Sequence, residues 1–384
     1  MAFNLIRNAR MFFTTNVNAT TGAVLTTGFT TSNTFEIQVL DGFSFSQNTT
    51  SETVTLNEAG AAPVRGQRSF NTALDPVEFT FSTYMRPKFQ EGTPGDDIDD
   101  YIGAEEEVLW NALAGTGAIG SGGAGWTRTV GASPVSTVGF TNSNAHQLQK
   151  FGVIVILDAS AYAIDNCALD QASIDFGLDA IATIAWTGRG TILRSISATA
   201  TTGGTVTLGG SLSGSAKGKD TTAPYIANKL STLTVTGGIG ATGTVYTIPL
   251  TGGNLTIANN LTYLTPANLG IVNQPVTYFT GTRAVSGTIN AYLRTGTGNS
   301  AQLLADMLAS STTEVDPDFQ VELKIGGANP VRVELLMPAC VLTIPTINTE
   351  QVVSTAINFT AQGYTGSAFD LEQANEVQVK YYSA

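Results

Sequence analysis

The same succession of sequence patterns occurs twice in this chain. Residues Val77–Arg86 read VEFTFSTYMR, and residues Val285–Arg294, 208 positions further on, read VSGTINAYLR. Both segments alternate hydrophobic and polar residues and end on a tyrosine, a large apolar side chain and an arginine. One match of this length has little weight, so the argument depends on whether others lie in the same order.

Three further pairs of segments do so. They are IQVLDGFSF with LTIANNLTY (37–45 and 255–263), EEVLWNALA with AQLLADMLA (106–114 and 301–309), and residues 155–188 with 333–366. From the first pair to the last, the spacing falls from 218 to 208, 195 and 178 residues, which indicates longer loops in the first copy. A period of roughly 200 residues is too long for a solenoid and predicts two homologous domains in tandem.

The repeat divides the chain into three parts. We call residues 1–190 unit A and residues 225–384 unit B. Residues 191–224 are rich in Thr, Gly and Ser and indicate a linker or a small insertion, in which VTLGGSL (206–212) predicts a short hairpin.

Alternating apolar and polar residues dominate both units. From Phe35 to Ser46 apolar side chains occupy every second position over most of the segment, which is typical of a strand with one buried face, and a return strand follows from Thr53. We expect a long hairpin here and another in residues 255–278. One short helix is predicted in each unit, at 105–114 and 300–309. The fold class is therefore mainly β: two tandem antiparallel β-sandwich or barrel domains, each with one helix.

The composition limits the possible functions. Only 12% of the residues are charged, about half the usual fraction, while Gly (41 residues) and Thr are abundant, so we expect much of the surface to be uncharged or buried against other copies. A net charge of −12 disfavours tight binding of nucleic acid, which requires Lys and Arg to displace counterions from phosphates.

Residues suited to catalysis or metal binding are scarce. His146, the sole histidine, lies in a polar stretch, and the glycines of residues 120–126 lack the Lys-Ser/Thr of a phosphate-binding loop. Calcium is an alternative for the acidic residues Asp96–Asp100, but their spacing lacks the oxygens and glycine of an EF-hand. Cys167 and Cys340 are expected to be buried free thiols, and the 178-residue spacing places Cys340 opposite Tyr162. We therefore expect no enzyme, no cofactor and no metal.

Export and membrane insertion are also disfavoured. Arg7 and Arg10 interrupt the N-terminal segment before any apolar run of signal-peptide length, and the longest apolar run, Phe151–Leu157, has the length of a strand. We expect the chain to be made and used in the cytosol, without contact with a membrane.

The order of these features resembles the tail tube proteins of tailed bacteriophages. The resemblance rests on the long hairpin with one polar face, the strand ending in Tyr-x-Arg, the single helix after it and the closing strands of residues 341–363. It implies that six such units form a ring, that their hairpins join into a β-barrel around a channel, and that rings stack into a tube. The doubling is similar to the fused tube proteins of some long-tailed phages, which implies three chains per ring.

The resemblance also implies where the protein acts and what it meets. Its partners would be other copies of itself, the tape-measure protein, tail tip or baseplate proteins, terminator proteins, and a sheath if the tail contracts. It would be located in the virion tail after assembly in the host cytoplasm, and DNA would pass without specific binding. The predicted channel-lining residues are Glu36, Gln38, Ser44, Ser46, Thr53, Thr55, Asn57, Thr256, Asn260 and Thr262.

An exported β-protein is the alternative. Adhesins, fimbrial subunits and S-layer proteins also favour β domains rich in Thr and Gly and poor in charge. The missing signal peptide and the missing disulfide framework disfavour this interpretation.

Overall fold

The structure is a computed structural model. It describes residues 9–54, 68–92, 94, 98–115, 125–140, 148–158, 160–200, 205–210, 212–238, 243–312, 318–348, 353–363 and 376–383. His146, Asp96 and the glycines at 120, 122 and 123 lie outside these residues.

The predicted mainly β fold is confirmed, since strands make up most of the described chain. The strands up to residue 217 are β1 Ala9–Thr14, β2 Thr27–Phe29, β3 Thr34–Ile37, β4 Ser44–Ser46, β5 Thr49–Val54, β6 Arg68–Leu74, β7 Val77–Tyr84, β8 Pro87–Gln90, β9 Tyr101–Ala104, β10 Trp126–Thr129, β11 Val135–Gly139, β12 Phe151–Leu157, β13 Ser160–Asp175, β14 Thr183–Gly190, β15 Ile192–Ile196, β16 Ala198–Ala200, β17 Thr205–Gly210 and β18 Ser213–Lys217.

The remaining strands and both helices complete the fold. The strands are β19 Thr232–Gly237, β20 Val245–Ile248, β21 Leu250–Ala258, β22 Thr262–Leu264, β23 Thr277–Phe279, β24 Ala284–Tyr292, β25 Asp318–Ile325, β26 Arg332–Leu342, β27 Thr346–Asn348, β28 Ser354–Ala361 and β29 Gln378–Tyr382. The two predicted helices are confirmed as α1, Glu107–Ala114, and α2, Ser300–Ser310. Neither helix, nor any other in the described residues, is long and apolar enough to cross a membrane.

Eight strands form one continuous antiparallel sheet, which we call the central sheet. Its order is β4-β7-β14-β13-β21-β24-β28-β27, so strands from both ends of the chain meet where β13 pairs with β21. The alternation in β7 and β14 places Phe79, Phe81 and Trp186 on a buried face. That face closes the main hydrophobic core, which therefore lies behind a sheet with one outward polar face.

A second layer covers the buried face of the central sheet. Part of it is β1, β3, β12 and β15, with the first half of β13, and another part is β19, β20, β25 and β29, with the first half of β26. Helix α1 packs into the core between these parts. The ring of its Trp110 meets Trp186 edge-on at 5.1 Å, and its indole N–H donates to the Tyr381 hydroxyl of β29 at 2.6 Å.

The long strands β13 and β26 contain the same irregularity. In each, a cysteine lies opposite a phenylalanine, the register shifts next to this pair, and the thiol contacts the carbonyl three residues earlier. The pairs are Phe151 with Cys167 and Phe319 with Cys340. This geometry matches Cys340 with Cys167, so its predicted match with Tyr162 is wrong. Both cysteines are buried and free, as predicted.

The predicted long hairpins are wrong. In the first, β3 pairs with β1, β4 pairs with β7, and the expected return strand β5 pairs with β6 instead. The reason is a bend between β3 and β4, where Gly42 has a φ of 95° and Leu40 donates its N–H to Ser82. In the second, β21 pairs with β24, and β22 forms a separate short hairpin with β23.

Residues 192–217 are built into the second layer. Strand β15 pairs with β13, and the predicted short hairpin is confirmed as β17 and β18, which runs parallel to β2. Val206, Leu208 and Ala216 form a small core with Phe12 and Ile154. The segment therefore buries apolar surface of its own.

Candidate functional site

The outward side of the central sheet is the most extensive polar surface that its strands form. We call it the polar face. Its side chains alternate with the buried ones along each strand and are exposed or half-buried. It consists of Ser44, Ser46, Glu78, Thr80, Ser82, Tyr84, Gln171, Ser173, Asp175, Thr183, Ala185, Thr187, Arg189, Asn254, Thr256, Ala258, Ser286, Thr288, Asn290, Tyr292, Ser354, Ala356, Asn358 and Thr360.

Short hydroxyl and amide side chains dominate the polar face. Several bond to one another across the strands: Thr288 donates to the Asn358 side chain at 2.8 Å, and the hydroxyls of Ser173 and Thr256 lie 3.3 Å apart. Such side chains satisfy each other and leave few strong binding groups.

Charge on the polar face is small. Arg189 lies 3.5 Å from Glu78 on the neighbouring strand, and Asp175 is the third charged residue of the face. The face therefore carries a net charge of −1 per chain, and among its described residues there is no lysine. A polyanion would find no row of cations along it.

Three of the predicted channel-lining residues lie on the polar face. Ser44 and Ser46 are in β4, and Thr256 is in β21. Thr55 and Asn57 lie outside the described residues.

The other predicted residues lie elsewhere in the structure. Glu36 is buried in β3, where both its oxygens accept hydrogen bonds of 2.7 Å from Arg10, and the Gln38 side chain accepts one of 2.8 Å from Arg86. Thr53 is in the β5-β6 hairpin. Two more lie beyond β21: Asn260 in a turn and Thr262 in β22.

Most of the polar face escaped the sequence analysis, although a signal for it was present. The repeated segments VEFTFSTYMR and VSGTINAYLR carry Thr80 and Thr288 at matching positions, and both residues face outward in central strands. The alternation that identified the repeat therefore also marked the polar face.

A second polar site surrounds Arg86, at the end of the Tyr-x-Arg strand. Its guanidinium is buried, donates to the carbonyls of Asp220 and Ala223 at 2.7–3.2 Å, and stacks over the Tyr225 ring. Glu105 lies 3.7 Å from it. These contacts hold residues 220–225 against β7, so the interpretation of the site is structural.

Two adjacent carboxyl groups in this second site have altered acidity. Burial raises the pKa of Glu105 and of Glu106 to about 7, although Arg86 and backbone N–H groups oppose the shift. At Asp220 burial would also raise the pKa, but hydrogen bonds led by that from Lys88, at 2.7 Å, lower it to about 2.

The buried Glu106 predicts an unusual dependence of stability on pH. Its pKa is higher in the folded chain than the ordinary value of 4.5, so folded molecules retain a proton that unfolded ones lose, and the free energy of unfolding should fall as pH rises from about 4.5 to about 7. Glu106→Gln should flatten this part of the profile and stabilise the chain at pH 8 by up to roughly 3 kcal/mol. Denaturant unfolding at pH 5 and pH 8 measures both effects, with the exposed Glu52→Gln as the control. Equal profiles for Glu106→Gln and wild type would contradict it.

A strand-rich chain with a large uncharged polar face and no pairing at either end of its central sheet, within the described residues, defines a class of structural β-proteins. Comparison with known proteins then gives the family. No protein-family model matches the chain. It is 32% identical over 368 residues to the tail tube protein pb6 of Escherichia phage T5, an alignment that covers 94% of this chain and 73% of that protein. The chain belongs to the tail tube proteins of bacteriophages.

Membership of this family favours a structural role in the virion tail over the exported β-protein considered above. It also agrees with self-assembly as the chain's main interaction. The particular ring, channel and partners are separate questions.

Proposed function

We propose that copies of this chain close into rings that stack into a tail tube, with the polar face lining a channel for the viral genome. The observation that carries this proposal is the composition of the polar face: 24 outward residues, of which three are charged. A surface of this kind stays hydrated yet offers no phosphate-binding groups, so DNA can move along it without being held.

The two-unit organisation is part of the proposal. Strand β7 pairs with β14 so that Tyr84 lies opposite Thr183, and β24 pairs with β28 so that Tyr292 lies opposite Ser354. The tyrosines end the repeated segments, and each unit contributes four strands to the central sheet. We assign residues 1–190 to unit A and 225–384 to unit B, with residues 191–224 as an insertion packed on unit A.

The number of chains per ring follows from this organisation. Two units per chain give a pseudo-sixfold ring from three chains, whose eight-stranded sheets would form a barrel of 24 strands. We also propose assembly in the host cytoplasm and contacts with the tape-measure, terminator and tail tip or baseplate proteins, and with a sheath if the tail contracts.

Ring stoichiometry tests the proposal directly. We expect rings of three chains, and therefore a mass near 120 kDa for a single ring of 40.0 kDa chains. Native mass spectrometry of rings and cryo-electron microscopy of tubes give this number independently. Rings of six whole chains would contradict the two-unit assignment, and a chain that forms neither rings nor tubes would contradict the proposed function.

A further inference from the structure

The two outer strands of the central sheet, β4 and β27, each have one neighbour among the described strands. Strand β4 pairs with β7, and β27 pairs with β28. We propose that these two edges pair with each other between copies of the chain, antiparallel, with Thr346 opposite Ser46, Ile347 opposite Phe45 and Asn348 opposite Ser44. This inference rests on the proposed ring and specifies the contact that closes it.

The template for this pairing is inside the chain. Where the two units meet, β13 and β21 pair with Ser173 opposite Thr256, Ile174 opposite Leu255 and Asp175 opposite Asn254. If the units are related by the repeat, the contact between chains copies the contact between units.

Strand β27 occupies the same place in unit B as the end of β13 in unit A. Measured on their shared neighbours, Ser173 lies opposite Ala185 in β14, and Thr346 lies opposite Ala356 in β28. Those neighbours are themselves matched, since Thr183 and Ser354 face Tyr84 and Tyr292. Thr346 therefore corresponds to Ser173.

Strand β4 corresponds in the same way to β21. Ser46 lies opposite Glu78 in β7, and Thr256 lies opposite Ser286 in β24. Glu78 and Ser286 are 208 residues apart, the spacing of the repeated segments. Ser46 therefore corresponds to Thr256, and Phe45 to Leu255.

Burial gives an independent reason for the same pairing. At the inner junction Ile174 and Leu255 are each 1% exposed, whereas at the free edge Ile347 is 44% exposed and Phe45 is half-buried. An apolar residue on an unpaired edge strand is a hazard for aggregation unless another strand covers it. A second copy, arranged as the inner junction is, covers both residues at once.

Disulfide trapping tests the register. The double variant Thr346→Cys with Ser46→Cys should, after mild oxidation of assembled rings, give covalent trimers that return to single chains on reduction. The inner pair Ser173→Cys with Thr256→Cys is the benchmark, because its hydroxyls lie 3.3 Å apart, and it should form a disulfide within one chain. Both native cysteines are buried and should not contribute.

A matched control shifts the register. Thr346→Cys with Ser44→Cys places the thiols two residues apart along the strand, beyond the Cα separation of about 7 Å that a disulfide spans, so few covalent trimers should form. Equal or higher yield from this pair would overturn the register. If a variant fails to assemble, a cryo-electron microscopy map of wild-type rings decides the same point, through the separation of residues 346 and 46 in adjacent chains. Rings in which these edges lie apart would overturn the inference while leaving the proposed function intact.

Discussion

Ile347→Asp should leave the chain folded and abolish tube formation. Ile347 is already largely exposed in a single chain, so a charge there meets water and the midpoint of thermal unfolding should change little. In the assembled ring the same residue would be enclosed beside Phe45 of the next copy, where an unpaired carboxylate is strongly unfavourable. Negative-stain microscopy and circular dichroism of the purified variant measure assembly and folding separately.

Two control variants make this result interpretable. Ile174→Asp places the same charge at the inner junction, where the residue is buried within one chain, and should unfold the protein rather than disperse it. Ser46→Ala changes the polar face of the edge strand β4 and should leave tubes intact. Normal tubes from Ile347→Asp would show that β27 is not enclosed by assembly.

Thr80→Lys combined with Thr288→Lys should produce tails that assemble normally and release DNA slowly. Both threonines lie on outward positions of central strands, so lysines there project away from the core and should not disturb packing. Three chains would place six additional cations in every ring. Each phosphate contact adds affinity that falls as salt rises, so release should be incomplete at low salt and recover at high salt. DNA release from purified particles across a salt series measures this.

The control for this double variant is Thr80→Asn with Thr288→Asn. It changes size and hydrogen bonding at the same positions without adding charge, and release should match that of wild type at every salt concentration. Wild-type release from the lysine variant, in particles shown to contain it, would contradict the assignment of the polar face to the channel.

Local alternation was a good guide to strands and a poor guide to their partners. The class of fold and both helices could be predicted because burial on one side imposes a period of two in strands and nearly four in helices. The pairing of β5 with β6 could not, because alternation records which face of a strand is buried and not which strand lies beside it. Glu36 shows a further limit: a polar residue at the expected position is buried here because Arg10 neutralises it.

Loop lengths limited the comparison of the two units. The matching of Thr183 with Ser354 gives a spacing of 171 residues, whereas that of Cys167 with Cys340 gives 173, and the sequence patterns had indicated 178 for this region. A few residues inserted in a turn shift every later match, and only strand pairing fixes the correspondence.

The hydrogen bond between Trp110 and Tyr381 joins residues 271 positions apart and has a consequence for synthesis. Strand β29 lies between β11 and β26 and supplies a side chain to the core around α1, so that core stays incomplete while the chain is growing. At about 5–20 residues per second, the delay between making Trp110 and making its partner is roughly 15 to 55 s. A nascent chain therefore remains short of its final fold while neighbouring ribosomes produce further copies, which postpones polymerisation until translation has passed residue 381.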